Sequence, residues 1–255
     1  MNDIYLIESP LQLLNILCFN YKFKSEKPIL IYRLNDSKNN NDQILNLIEK
    51  YWEYEKIEIK IISQFKILKT LIEVVKLIFI FRNKVNKIVV GEFRSPWMQL
   101  LRIFLNPKEH WLVDDGDITI YVYNKYIKNS KFYTSLLLNL IGKNNKINLF
   151  TSFDIDKKTT NIVKNNYQYL KIHKKGKQKD NSFYYFGSCY SEAGVLSLHD
   201  EIKTITKVKQ YVEKNLSLKF VYLYHRNDSY EKIKLIETIC DDTIKNTVPA
   251  EIFFT

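Results

Sequence analysis

A short apolar run that stops at a helix-opening turn recurs along this chain, and that recurrence restricts the fold more than any other feature. Ile4 to Ile7 runs into Ser9-Pro10, where serine suits the N-cap and proline the first helical position, predicting a helix to about Tyr21. Pro28 to Tyr32 is a second strand, Gln43 to about Tyr54 a helix, and Ile57 to Ile62 a third strand. The apolar stretch Leu71 to Phe81 is interrupted by Glu73 and Lys76 and is too short to span a bilayer, so it reads as a buried amphipathic helix. Lys87 to Val90 then ends in Gly91-Glu92, Ser95-Pro96 repeats the cap-then-proline opening, and Trp111 to Val113 ends in Asp114-Asp115-Gly116. Strands alternating with helices of this length predict a mostly parallel α/β sheet.

From Lys171 to Ser182 the chain is charged and without apolar periodicity, which reads as a linker or, equally, as a solvated loop inside one domain. The rhythm then restarts. Phe183 to Phe186 is a strand ending at Gly187-Ser188, Ser197 to Glu213 a helix, and Phe220 to Tyr224 a strand ending at His225-Arg226. Asp228 with Glu231 has the spacing of a capping box for a helix to about Cys240. The expected organisation is a Rossmann-like domain over residues 1–170, a linker over 171–182 and a second Rossmann-like domain over 183–255, the two facing each other across a cleft.

Net charge is +11, but the cations are overwhelmingly lysine; arginine occurs only at Arg33, Arg82, Arg94, Arg102 and Arg226. Sequence-specific nucleic-acid readout leans on arginine, so the expected anionic partner is a substrate or a membrane surface instead. Cys18, Cys189 and Cys240 are odd in number and widely spaced, which fits a reducing cytosol and supplies no metal motif. Asp3 and Glu8 interrupt the N-terminal apolar run, which is unlike a signal peptide. The chain has no GxGxxG, P-loop or HExxH, which counts against dinucleotide-binding and nucleotide-hydrolysing classes.

The polar clusters Ser9-Pro10, Gly91-Glu92, Asp114-Asp115-Gly116, Gly187-Ser188 and His225-Arg226 all fall at the carboxyl end of a predicted strand. Ligands of open α/β sheets bind there. Two adjacent acids can divide labour, one taking a proton while the other positions it; the plain alternative is a solvated Asp-Gly turn. His225-Arg226 beside a helix N-terminus forms a cationic anion site or, equally, a surface pair bridged to Asp228 or Glu231.

Taken in order, these residues resemble the bacterial sialyltransferases of glycosyltransferase family fifty-two, the lipooligosaccharide and capsule enzymes. Ser9-Pro10-Leu11-Gln12 looks like their N-terminal S/T-P-L-Q signature, and Asp114-Asp115-Gly116 like the acidic-acidic-glycine motif of several bacterial sialyltransferase families. Phe186-Gly187-Ser188 with Ser191-Glu192 is similar to the opening of their second domain. His225 falls at the place of their His-Pro motif, with Arg226 where proline would stand. Pro249-Ala250-Glu251 resembles the segment whose glutamate holds the donor ribose.

The resemblance implies a GT-B fold and inverting, metal-independent transfer of sialic acid from CMP-sialic acid to a sugar hydroxyl of a capsule or lipooligosaccharide acceptor, with no cofactor. It implies Asp115 as the base, Asp114 as the alternative, and His225 with Arg226 on the donor phosphate. Gly187 and Ser188 would lie against the donor, Glu251 on its ribose, and Ser9, Pro10, Gln12 and Gly116 in the substrate site. Beside the family the chain looks short at its C-terminus, so a second domain lacking elements, and with it an inactive relative or a non-catalytic carbohydrate-binding protein, is the alternative. The expected location is the cytoplasmic side of the membrane, in peripheral contact with anionic lipid and without nucleic acid.

Overall fold

In the computed structural model the described residues are 1–59, 66–128, 147–155, 160–173 and 181–245. The chain divides into two compact units, Met1–Lys174 and Lys175–Phe254.

The first unit is built on a seven-stranded, all-parallel sheet. Its strands are β1 (Asn2–Ile7), β2 (Pro28–Arg33), β3 (Glu55–Ile59), β4 (Val85–Val90), β5 (Glu109–Val113), β6 (Ile147–Thr151) and β7 (Ile162–Lys164). They lie in the order β3-β2-β1-β4-β5-β6-β7, the doubly wound arrangement with its reversal between β1 and β4. Helices α1 (Pro10–Phe23), α2 (Lys38–Tyr51), α3 (Lys66–Phe81), α4 (Pro96–Phe104), α5 (Ile118–Val122) and α6 (Gln168–His173) connect them, with a π-helical turn at Tyr123–Lys128.

The uninterrupted apolar run of β1 is explained by its central place. Ile4, Tyr5, Leu6 and Ile7 are all fully buried because both faces of a parallel sheet are covered. Side chains alternate across the sheet, so Ile4 and Leu6 join Ile88, Val90, Leu112 and the helical residues Val74, Leu77, Met98 and Leu101 in one core. Tyr5, Trp111 and Phe150 point the other way and meet Phe19 of α1 at ring distances of 5.2–5.9 Å.

The Ser9-Pro10 reading is borne out in detail. Ser9 is the N-cap of α1, its hydroxyl accepts from the Gln12 amide at 3.3 Å, and Pro10 opens the helix. Three other expectations need correction. The amphipathic helix expected from Leu71 begins at Lys66, and it buries one face only: Val74, Leu77 and Phe81 are buried, while Leu71, Ile72, Val75 and Phe79 are exposed. Lys171–His173 of the supposed linker belong to α6, and Ser182 begins a strand. The cap of the last described helix is Ser229, not Asp228, for a reason given below.

The second unit is a parallel β-α-β-α-β repeat: β8 (Ser182–Phe186), α7 (Leu198–Leu216), β9 (Lys219–Leu223), α8 (Tyr230–Ile239) and β10 (Asp242–Ile244), with the sheet order β10-β9-β8. Ile205, Val212, Phe220, Tyr222 and Ile236 form its core.

Candidate active site

In the first unit, three of the predicted clusters are brought together at the switch point. Glu8-Ser9 follows β1, Gly91-Glu92 follows β4 and Asp114-Asp115 follows β5, three neighbouring strands. The Ser9 hydroxyl donates to Asp115 Oδ1 at 3.5 Å, across 106 residues of sequence. Gln12, one turn into α1 and almost fully buried, accepts the Glu8 amide on Oε1 at 2.8 Å. Gly91 makes that possible. A Cβ there would lie 2.6 Å from Gln12 Oε1 and 2.8 Å from Gln12 Cβ. Gly91→Ala is therefore expected to destabilise the first unit by about 1–3 kcal/mol through overpacking, read by urea unfolding; parent-like stability would mean that Gln12 has room to retreat.

The two adjacent aspartates have different roles. Asp114 is buried and tied into the scaffold: its carbonyl accepts from Asn15 Nδ2 at 2.9 Å, and Oδ2 accepts from the Ser152 amide at 2.7 Å and hydroxyl at 3.0 Å. Asn165 in turn holds Asn15 at 2.8 Å. Burial pushes the Asp114 carboxyl above its usual range, against the pull of these donors. Asp115 instead keeps partial exposure at the loop, its amide donating to Thr119 Oγ1 at 2.8 Å. Gly116 completes the turn with a left-handed φ of +67°, which accounts for the glycine. Pro10 is buried and serves the helix start.

Asp115 is pushed up to about 7, first by burial and next by the negative charge of Glu92, while Gln12 pulls the other way. Burial also opposes the charge on Glu92, but Arg94 outweighs it and holds Glu92 below its ordinary value. The Arg94 guanidinium is bidentate, with Nε on Oε1 at 3.0 Å and a terminal nitrogen on Oε2 at 2.6 Å, and its amide donates to Oε1 at 2.8 Å. The result is a carboxyl–carboxylate pair: Glu92 carries the charge and Asp115 carries a proton that it can lose or regain near neutrality. Glu8 adds a third carboxylate, held by Arg33 at 2.6 Å and the Trp97 indole at 2.9 Å. Glu92 and Arg94 were legible only as loop residues after a strand; nothing in their spacing announces the fork.

In the second unit Gly187-Ser188 and His225-Arg226 end the adjacent strands β8 and β9. Gly187 is accounted for inside the protein, since a Cβ there would meet Tyr222 Oη at 2.5 Å and the His225 nitrogen at 2.9 Å. Beneath these turns lies a group that sequence reasoning missed. Lys232 is fully buried, 2.6 Å from Glu201 Oε1 and 2.9 Å from Asp228 Oδ1, with Glu192 at 3.5 Å, and it also donates to the Ser188 carbonyl. Asp228 meets Lys232 and accepts the His225 amide at 2.8 Å, so capping falls to Ser229. The i,i+4 spacing of Asp228 and Lys232 was the available signal.

In the His225-Arg226 pair expected from the sequence, the imidazole is harder to protonate than a free one. Burial lowers the proton affinity of His225; Asp228 raises it, but Arg226 and Lys232 lower it further, leaving a net decrease. Its Nδ1 accepts from the Asn227 amide at 3.2 Å, so the neutral ring carries its hydrogen on Nε2. The adjoining helix start is partly taken as well, because Glu192 Oε1 accepts the Ser229 amide at 2.8 Å. Glu251, expected on the donor ribose, lies outside the described residues. Among the described residues no group of three or more His, Cys, Asp or Glu is arranged to hold a metal ion. No protein-family model matches this sequence, and neither does any curated protein.

Proposed function

We propose that the chain is a sialyltransferase-like glycosyltransferase of GT-B architecture. It would transfer a sialic acid from a CMP-activated donor to a sugar hydroxyl of a capsule or lipooligosaccharide acceptor, with inversion and without a metal. The observation that carries this reading is the meeting of Ser9 with Asp115 at the switch point, where Asp115 has a proton affinity near neutrality. The two segments that resemble the family most closely, Ser9-Pro10-Leu11-Gln12 and Asp114-Asp115-Gly116, thus share one site.

In the proposed reaction the acceptor oxygen attacks the anomeric carbon as its proton passes to the Asp115 carboxylate. The bond from that carbon to the CMP oxygen breaks, and its electron pair leaves with CMP. Glu92 keeps Asp115 basic enough to take the proton, and Arg94 keeps Glu92 charged. The groups that the family resemblance assigns to the departing phosphate are Arg226 and the His225 Nε2–H of the second unit.

The second reading is a non-catalytic carbohydrate-binding or inactive relative. The Glu192 carboxylate favours it, because it already occupies the Ser229 amide where a phosphate would be received. A thermal melt with CMP, with UMP and GMP as controls, separates the two. A ligand that binds only the folded state raises the midpoint by mass action. The expected result is a rise of several degrees with CMP alone, retained in Asp115→Asn and lost in His225→Ala. A cooperative melt indifferent to all three nucleotides would favour the non-catalytic reading.

A further inference from the structure

The exposed face of α3 carries Leu68, Leu71, Ile72, Val75 and Phe79, positions separated by three or four residues and so stacked along one side of the helix. Phe79 is 82% exposed and Leu68 56%, while the opposite side buries Val74, Leu77 and Phe81 in the core. The helix is therefore apolar on two faces, and among the described residues only one packs into the core. Its 16 residues extend for about 24 Å, a continuous strip rather than isolated surface residues. Lys69, Lys76 and Arg82 border the strip, Lys84 follows the helix end, and Glu73 is the one acidic residue of α3, paired to Lys76 at 2.8 Å.

We infer that this strip is a seat for an anionic lipid bilayer, with α3 lying in the plane of the headgroups. Apolar residues in the middle and cations at the margin match what an interfacial helix needs: apolar area to bury at the acyl boundary and positive charge against anionic headgroups. No helix among the described residues is long and apolar enough to cross a membrane, so the contact is one of lying on the surface. A second copy of the chain suits the strip less well. Isologous pairing would bring the same cationic margins together in a chain of net charge +11, whereas lipid phosphate neutralises them. The inference is independent of the reaction proposed above.

The test is flotation of the full chain with phosphatidylcholine vesicles, with and without phosphatidylglycerol, alongside Phe79→Asp and the double variant Val75→Asp/Phe79→Asp. Binding is expected only with phosphatidylglycerol, weakened roughly tenfold by the single change and abolished by the double change. Because both side chains are exposed, the thermal melts of the variants are expected to match the parent. Undiminished flotation of the folded double variant, or no flotation of the parent, would overturn the proposal. So would a concentration-dependent dimer in sedimentation velocity that Phe79→Asp dissolves, since the strip would then belong to a second copy.

Discussion

Asp115→Asn is expected to lower the proposed sugar transfer roughly a thousandfold, the scale of a lost acid–base group, while the proposed rise in melting temperature with CMP stays intact. The amide keeps the shape and loses the proton affinity, so the loss reports on chemistry rather than on packing. Transfer at the parent rate would remove Asp115 from the base role. The same substitution has a second, independent readout. The folded-state value of Asp115 is raised to about 7 from 3.8, so the folded protein binds a proton here that the unfolded chain releases. Its contribution is favourable at acid pH and is lost as pH rises through that interval. Asn carries no such penalty. Asp115→Asn is therefore expected to be more stable than the parent at about pH 8, by up to about 4 kcal/mol, and to converge on it near about pH 4. Glu92→Gln is the companion: without the neighbouring charge, the acid limb of the rate profile is expected to fall from about 7 toward the ordinary carboxylate range.

The other large effect belongs to Lys232→Met. Burial opposes the charge on Lys232, but its bonds to Glu201 and Asp228 outweigh that cost and hold its proton affinity above the ordinary value. Glu201 is held below its own ordinary value in the same way, by Lys232 and Ser191 against burial. Removing the cation leaves the buried Glu201 and Asp228 carboxylates without their countercharge, a change that costs about 3–5 kcal/mol. The sign with pH is determined. In the parent, the depressed Glu201 contributes stability above its unfolded value, lost as pH falls through its folded value. In the variant the acids instead favour protonation, so its deficit is expected to be largest at about pH 8 and to shrink toward about pH 5. Unfolding followed by hydrogen exchange of the β9 amides reads the second unit directly. Parent-like protection at both values would show that the cluster is dispensable. Because Asp228 also holds the His225 amide, the variant is expected to weaken any CMP response as well.

Strand positions were legible because burial on both sheet faces demands unbroken apolar runs, as at Ile4–Ile7. Helix starts were legible wherever a serine cap and a proline coincide, as at Ser9-Pro10. Strands β6 and β7, helix α6 and β10 were not assigned, because short segments in a half-polar context carry no period to read. Leu71–Phe81 was legible as an amphipathic helix, but not its start at Lys66 or the extent of its exposed apolar face, because the sequence does not say how many apolar positions the fold covers.

The sequence alone determined the alternation of strands and helices, the parallel sheet and the placement of polar clusters at strand ends, since these follow from local spacing and capping. Only the tertiary structure decided which clusters meet. It sent Asp114 into the scaffold through Ser152 and Asn15 and left Asp115 partly exposed beside Glu92. It also gave Asp228 to Lys232 rather than to the helix cap. The Asp114 and Asp115 pairings join residues tens to a hundred positions apart, and even the Asp228–Lys232 pair, four positions apart, depends on burial and charge at a few ångströms, which spacing along a chain does not encode.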